Sequence, residues 1–103
     1  MIVEYIRYQI ALTESEAFET GYAEAVKSLA SSEHCLAYDL ACCVDDPSSY
    51  ILRIEWDSIA GHMQGLRSSD AFRSFFAAIK PYVDRIDEMR HYKPTTVTSA
   101  KFQ

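Results

Sequence analysis

The chain has 103 residues, of which 10 are Lys or Arg and 15 are Asp or Glu, so its formal net charge is −5. This acidic balance argues against a binder of nucleic acid or of an anionic membrane surface, because both need positive charge. The longest apolar stretches fall far short of the ~20 residues that cross a bilayer, and the first residues lack a basic region. We therefore predict one cytoplasmic domain over residues 1–103, with no nucleic-acid or membrane partner.

The N-terminal part of the chain predicts a strand followed by a helix. Val3 to Ile10 alternates apolar and polar residues and is enriched in β-branched and aromatic side chains, as strands are. Thr13-Glu14-Ser15-Glu16 has the form of a capping box, and the apolar residues after it recur at helical spacing. We expect a first strand at 3–10 and a first helix at 14–31.

The next two strands are predicted as a hairpin. Cys35 to Val44 and Tyr50 to Trp56 both alternate, and Asp45-Asp46-Pro47-Ser48 between them is typical of a turn. Because facing residues lie equally far from the turn, their numbers add up to about 92. This register places Asp39 opposite Arg53.

The C-terminal half predicts two helices and a last strand. Asp57-Ser58 and Ser68-Ser69-Asp70 are expected to cap a short and a longer helix, the longer one with a stripe of phenylalanines. Pro81 should interrupt or kink the longer helix, whose amphipathic pattern then continues to His91. The segment from His91 to Val97 is the candidate for the last strand.

The order strand, helix, strand, strand, helix, strand defines a fold class. It is the split β-α-β, or ferredoxin-like, arrangement of the α+β class, in which a four-stranded antiparallel sheet carries its helices on one face. The opposite face collects tyrosine, small residues and complementary charges, namely Tyr5, Arg7, Gln9, Ala37, Asp39, Ala41, Arg53 and Glu55. We expect the sheet of a second copy to pack there and form a homodimer. A solvent-exposed sheet face is the alternative.

The sequence lacks the signatures of acyl transfer, phosphoryl transfer and metal binding. It contains no Gly-x-Ser-x-Gly elbow, no glycine-rich phosphate loop and no His-Glu-x-x-His, and its three histidines lie far apart in the chain. The cysteines have neither disulfide-framework nor Cys-x-x-Cys spacing, so we expect reduced thiols at Cys35, Cys42 and Cys43. No metal site is predicted.

The candidates for a ligand site are one histidine and several of the aromatic residues, which make up 13% of the chain. The spacing of His62 from Ile59 and Leu66 turns it inward, where it is either a satisfied structural residue or a ligand-facing base. Trp56 leaves a strand nearby and is either a core wedge or a wall for an aromatic ligand. The other candidate pocket walls, which are alternatively plain core residues, are Tyr8, Tyr38, Phe72 and Phe76.

Several short motifs resemble the antibiotic biosynthesis monooxygenase (ABM) domain family. The motifs are Ile54-Glu55-Trp56-Asp57-Ser58, then His62, then Arg67-Ser68-Ser69-Asp70-Ala71-Phe72 and Phe75-Phe76, and a tyrosine-bearing strand at Leu36-Ala37-Tyr38. The resemblance covers nearly all of the chain. It implies a ferredoxin-like fold, a homodimer of the dimeric α+β barrel type, and one pocket per subunit between sheet and helices.

Enzymes of this family oxidise phenolic or quinol-type aromatic compounds with molecular oxygen, without flavin, haem or metal. The resemblance therefore implies a monooxygenase with no cofactor, in which His62 is catalytic and Trp56 helps to bind a small aromatic substrate. A related branch degrades haem with an asparagine on the first strand, but this chain contains no asparagine. The alternative function is a dimeric small-molecule-binding or accessory domain without turnover.

Overall fold

The structure of the protein, a computed structural model, describes residues 1–66 and 69–99. It contains four strands and two long helices, namely β1 (Ile2–Gln9), α1 (Ser15–Ala30), β2 (Cys35–Cys42), β3 (Ser49–Trp56), α2 (Asp70–Ile79) and β4 (Ile86–Tyr92). The shorter helical segments are 3-10 turns at Leu12–Glu14 and Lys80–Arg85 and a π-helical turn at Gly61–Leu66. This order confirms the predicted α+β arrangement.

The sheet is antiparallel throughout, with the strand order β2-β3-β1-β4. The two central strands pair over their full length, beginning with Ile2 opposite Trp56. In the hairpin of β2 and β3, Asp39 lies opposite Arg53, so the predicted register is confirmed. The strands β2 and β4 are the two edges of the sheet.

The core lies between the sheet and the two long helices. Along β1 the burial alternates, because Ile6 and Tyr8 face the helices whereas Arg7 and Gln9 are exposed. The most buried apolar side chains come from the helix-facing sides of β1 and β3 and from one stripe of α1; they are Tyr8, Ile10, Phe18, Tyr22, Ala25, Leu29, Leu52, Ile54 and Trp56. Burial of this apolar surface is the main term that favours folding.

The C-terminal predictions of a helix that continues to His91 and of a strand from there to Val97 are wrong. After α2 the chain forms the 3-10 turn that begins at Lys80 and contains Pro81, and β4 already begins at Ile86. The apolar spacing in this short segment fits a helix as well as a strand. The segment forms a strand because pairing with the free edge of β1 satisfies the backbone hydrogen-bonding groups of β4.

The helix starts agree with the sequence only in part. Ser69 caps α2, since its hydroxyl oxygen accepts the backbone N–H of Phe72 at 3.3 Å, while Ser68 lies outside the described residues. The predicted capping box does not form, because Thr13 lies within a 3-10 turn and no side chain caps α1.

The segment after β3 forms a π-helical turn instead of the predicted short α-helix. The hydroxyl oxygen of Ser58 accepts the backbone N–H of Gly61 at 2.9 Å, as a cap does. His62 is buried but Ile59 is exposed, so the two do not share an inward face as predicted. The predicted inward position of Leu66 lies outside the described side chains.

The opposite face of the sheet points away from the helices and carries charges of both signs. On this face Arg53 Nη1 donates to Glu55 Oε2 at 2.6 Å, and Arg7 lies 4.0 Å from Glu88. In the part of the chain that the structure describes, no helix has both the length and the apolar character needed to cross a membrane.

Candidate functional site

An apolar cavity of about 140 Å³ lies between the helix-facing side of the sheet and α2. Fourteen residues from the sheet, the helices and the turns line it, namely Glu4, Ile6, Tyr8, Leu29, Ile54, Trp56, His62, Phe72, Phe75, Phe76, Ile79, Val83, Ile86 and Met89. An engineered apolar cavity of about 150 Å³ in another protein binds benzene. The space therefore matches one six-membered aromatic ring.

One end of the cavity is polar and centres on a buried carboxylate. Glu4 is only 2% exposed, and its Oε1 accepts the indole N–H of Trp56 at 3.1 Å. The same oxygen lies 3.5 Å from Nε2 of His62. The imidazole of His62 stacks on the indole of Trp56, with ring centroids 4.4 Å apart and planes 13° apart. A buried carboxylate needs such compensation, because it has lost its hydration.

His91 joins this group from the edge strand. It pairs with Glu4 across β1 and β4, and its Nε2 lies 3.8 Å from Glu4 Oε2. The same Nε2 lies 2.7 Å from Nδ1 of His62, which is a hydrogen-bond distance. We call Glu4, Trp56, His62 and His91 the polar cluster.

The turn that carries His62 is held against the neighbouring loop by His34. The ring of His34 forms a 2.9 Å hydrogen bond to Asp57 Oδ2, which lowers the pKa of the Asp57 carboxyl group. A Cβ atom at Gly65 would collide with the ring of His34, and a Cβ atom at Gly61 would collide with Asp57. Glycine at these two positions therefore allows the turn to approach Asp57 and His34 closely.

Tyr8, which lines the cavity, and Tyr22 of α1 form a buried pair of hydroxyl groups. The two hydroxyls are hydrogen-bonded to each other. Burial raises the pKa of Tyr8 to about 12, and burial also raises the pKa of Tyr22 above its usual value. Both phenols are therefore neutral near pH 7, which leaves Glu4 and His62 as the lining groups able to accept a proton.

We expect Tyr8 by itself to lower the free energy of unfolding by about 1–2 kcal/mol between pH 10 and pH 12, in addition to the contributions of Tyr22 and Tyr50, whose pKa values are also raised. The unfolded chain loses its tyrosine protons near pH 10, whereas folded Tyr8 keeps its proton until about pH 12. The stabilisation is complete below pH 10 and is lost as the pH rises through the folded value. Urea denaturation across this range measures the loss, which should be smaller in Tyr8→Phe; equal losses in both proteins would contradict the assignment.

The structure brings five of the six predicted site residues to this cavity. Trp56, His62, Tyr8, Phe72 and Phe76 all line it.

Tyr38 is the predicted site residue that lies elsewhere. It sits on the edge strand β2, is 37% exposed, and borders a separate shallow pocket together with Tyr22 and Val26 of α1. Its side chain is on the helix-facing side of the sheet, as predicted, but the helices do not cover this edge of the sheet.

Glu4 and His91 are the site residues that the sequence reasoning missed. Glu4 shares its even numbering with Ile6 and Tyr8, so a carboxylate at an inward position of the first strand was the available signal. His91 gave no such signal, because its pairing with Glu4 exists only once β4 is placed beside β1.

Glu4, His62 and His91 are also the described residues that could be considered for a metal ion, since one donor atom of each lies within 4.8 Å of the others. The fold therefore brings together two histidines, His62 and His91, that lie far apart in the sequence. Donors that share one ion at 2.0–2.1 Å are roughly 3–3.5 Å apart. The 2.7 Å contact between the rings is a direct hydrogen bond, and His62 offers a different nitrogen to each neighbour. The geometry fits a hydrogen-bonded cluster better than an ion site.

The sequence matches a known protein family over most of its length. The profile of the family described as antibiotic biosynthesis monooxygenase matches residues 1–78. One relative, the uncharacterized protein YczJ of Bacillus subtilis (strain 168), is 19% identical over 78 residues, which are 76% of this chain and 82% of that protein.

Solved structures share the fold. A proposed antibiotic biosynthesis monooxygenase from Bordetella bronchiseptica has a TM-score of 0.76 at 21% identity, with 91% of this chain and 96% of that chain covered. Rv0793 from Mycobacterium tuberculosis has a TM-score of 0.74 at 15% identity, with 95% and 98% covered. At these identities the structures establish the fold alone, while the profile match establishes the family. The chain belongs to the antibiotic biosynthesis monooxygenase family.

Proposed function

We propose that the protein is a cytoplasmic, cofactor-independent monooxygenase that oxidises a small aromatic, phenolic or quinol-type compound with molecular oxygen. The observation that carries this proposal is the cavity, which has room for one aromatic ring and ends at the polar cluster. An apolar site that holds a flat ring beside a proton acceptor suits the activation of a phenol. Membership of a monooxygenase family supports the oxygen chemistry.

The proposed substrate lies with its ring against the aromatic walls and its hydroxyl group at the polar cluster. His62 accepts the phenolic proton, and the Glu4 carboxylate stabilises the imidazolium that forms. The substrate anion is then electron-rich enough to react with oxygen. Because the other walls are apolar, water is excluded from this anion.

The proposed reaction balances without an added reductant. When a phenol is oxidised to a quinone, its O–H bond and one ring C–H bond break. One atom of O2 forms the new carbonyl group, and the other leaves as water with the two hydrogens. All electrons that reduce oxygen come from the substrate, so the protein needs only to bind, orient and move a proton.

We expect EDTA-treated protein to consume oxygen with single-ring phenols or hydroquinones, which match the size of the cavity, above the rate of autoxidation. Trp56→Phe should raise KM by about 10-fold and change kcat less, because phenylalanine loses ring area and the N–H bond to Glu4. An oxygen electrode measures both constants. An unchanged KM in this variant would contradict the role of Trp56 as a wall. Binding without oxygen uptake would favour the alternative function, a non-catalytic binding or accessory domain.

The polar face of the sheet, opposite the helices, is the proposed site of homodimer formation. Its charges of both signs, such as Arg53 beside Glu55 and Arg7 near Glu88, can pair again across a two-fold axis. Burial of this face would add apolar contacts to a small domain, and small domains bury a limited fraction of their surface alone.

We expect Arg53→Glu to convert the proposed dimer into a monomer at micromolar concentration. The substitution places a second carboxylate beside Glu55, and like charges that meet in an interface cost several kcal/mol. Sedimentation velocity measures the change. The matched control is Arg73→Glu on α2, which is 84% exposed on the helical side and should leave the dimer intact. A wild-type protein that sediments as a monomer would contradict the proposal.

A further inference from the structure

We propose that His91 is a second proton carrier of this site, so that the proton taken from the substrate is held as an imidazolium shared between His62 and His91. This inference rests on the proposed function and names the group that takes part in proton storage. His91 itself does not line the cavity; it reaches the site only through its contacts with His62 and Glu4.

The contact between the two rings defines a path for the proton. The 2.7 Å separation of His62 Nδ1 and His91 Nε2 requires one nitrogen with a hydrogen and one with a lone pair. His62 therefore uses Nδ1 for His91. We assign the substrate proton to its other nitrogen, Nε2, which lies 3.5 Å from the Glu4 carboxylate.

The proton transfers balance in both directions. The substrate O–H bond breaks, and an N–H bond forms at Nε2 of His62. In the proposed resting tautomer, Nδ1 of His62 carries a hydrogen. This hydrogen then crosses to Nε2 of His91, which moves the positive charge to the second ring without moving a side chain. When reduced oxygen leaves as water, both transfers reverse, and the starting tautomers are restored. The complete reaction neither gains nor loses a proton.

Glu4 stabilises the charge on either ring. Its Oε1 lies 3.5 Å from His62 and its Oε2 lies 3.8 Å from His91, so each imidazolium is next to an anion. Next to the two histidines, the indole N–H of Trp56 donates to Glu4, and the indole ring stacks on His62. The nearby carboxylate of Asp57 is hydrogen-bonded to His34.

The exposure of these side chains increases outward from the cavity. It rises from 2% for Glu4 through 9% for His62 to 28% for His91. A charge that moves from His62 to His91 is therefore better hydrated.

The activity test replaces His91 by glutamine. His91→Gln keeps an amide that can hydrogen-bond to His62 but cannot hold a proton, so we expect kcat to fall about 10-fold and KM to stay near the wild-type value. The control is Lys27→Gln, at a residue of α1 that is 71% exposed and does not line the cavity. A His91→Gln protein with the wild-type kcat and pH profile would overturn the inference.

The second test does not depend on turnover. In nitrogen-15 NMR spectra of the EDTA-treated protein, the rings of His62 and His91 should take up one proton together in a single pH step. In His91→Gln, His62 should titrate alone and at a different pH. Independent titration of the two rings in the wild-type protein would overturn the shared proton.

The two tests separate this inference from the proposed function. Coupled titration in a protein that consumes no oxygen would support the shared proton and remove the monooxygenase proposal. A requirement for added Fe²⁺ or Zn²⁺ after EDTA treatment would overturn the shared proton, because the same groups would then serve as metal ligands.

Discussion

His62→Ala is expected to turn over aromatic substrates about 100-fold more slowly than the wild-type protein. His62 is the proposed proton acceptor, and it is the residue that contacts Trp56, Glu4 and His91 within the polar cluster. Its loss leaves the phenol protonated and the substrate less reactive toward oxygen. Oxygen uptake at saturating substrate concentration measures the effect.

The control for this variant comes from the same turn. Ile59 is 51% exposed and does not line the cavity, so Ile59→Ala should keep the wild-type turnover. Circular dichroism and thermal unfolding establish that both variants are folded. A folded His62→Ala protein with full turnover would remove His62 from the mechanism.

Phe18→Ala is expected to destabilise the folded protein by about 3–5 kcal/mol. Phe18 is fully buried on α1, and its ring packs against several tyrosines with centroid distances between 4.8 and 5.1 Å; they are Tyr8, Tyr22, Tyr50 and Tyr82. The substitution opens a cavity and removes these aromatic contacts at once. Because small domains are stable by only about 5–15 kcal/mol, this loss is a large part of the total.

Urea denaturation measures this loss of stability. Leu12→Ala is the control, since Leu12 is an apolar residue that is 64% exposed and should change the stability by less than about 0.5 kcal/mol. A loss below about 1 kcal/mol in Phe18→Ala would show that α1 is not anchored to the sheet through this residue.

Local patterns in the sequence are sufficient to predict the hairpin of β2 and β3 but not the last strand, β4. Alternation runs through β2 and β3, and the turn between them sets the register that puts Asp39 opposite Arg53. In β4 a register shift opposite Arg7 and Tyr8 interrupts the alternation. Its apolar residues then resemble a helical pattern, and only the unpaired edge of β1 identifies the segment as a strand.

The residues of the candidate site also differ in how far apart in the sequence their partners lie. Trp56 and His62 are close in sequence, and His62 is inward near the end of the sheet as predicted, although Ile59, from which that position was inferred, is exposed. Glu4 and His91 come from opposite ends of the chain and meet through strand pairing. Tyr38 has the correct parity, but its position on an edge strand depends on the order of the strands in the sheet.

Isotope-labelled oxygen tests the central claim, cofactor-free oxygenation of an aromatic compound, most directly. EDTA-treated protein would be supplied with ¹⁸O₂ and a single-ring phenol that supports oxygen uptake, and the product would be analysed by mass spectrometry. We expect one labelled oxygen atom in each product molecule and the other in water. Product that carries no label, or label that enters at the same rate without protein, would contradict it.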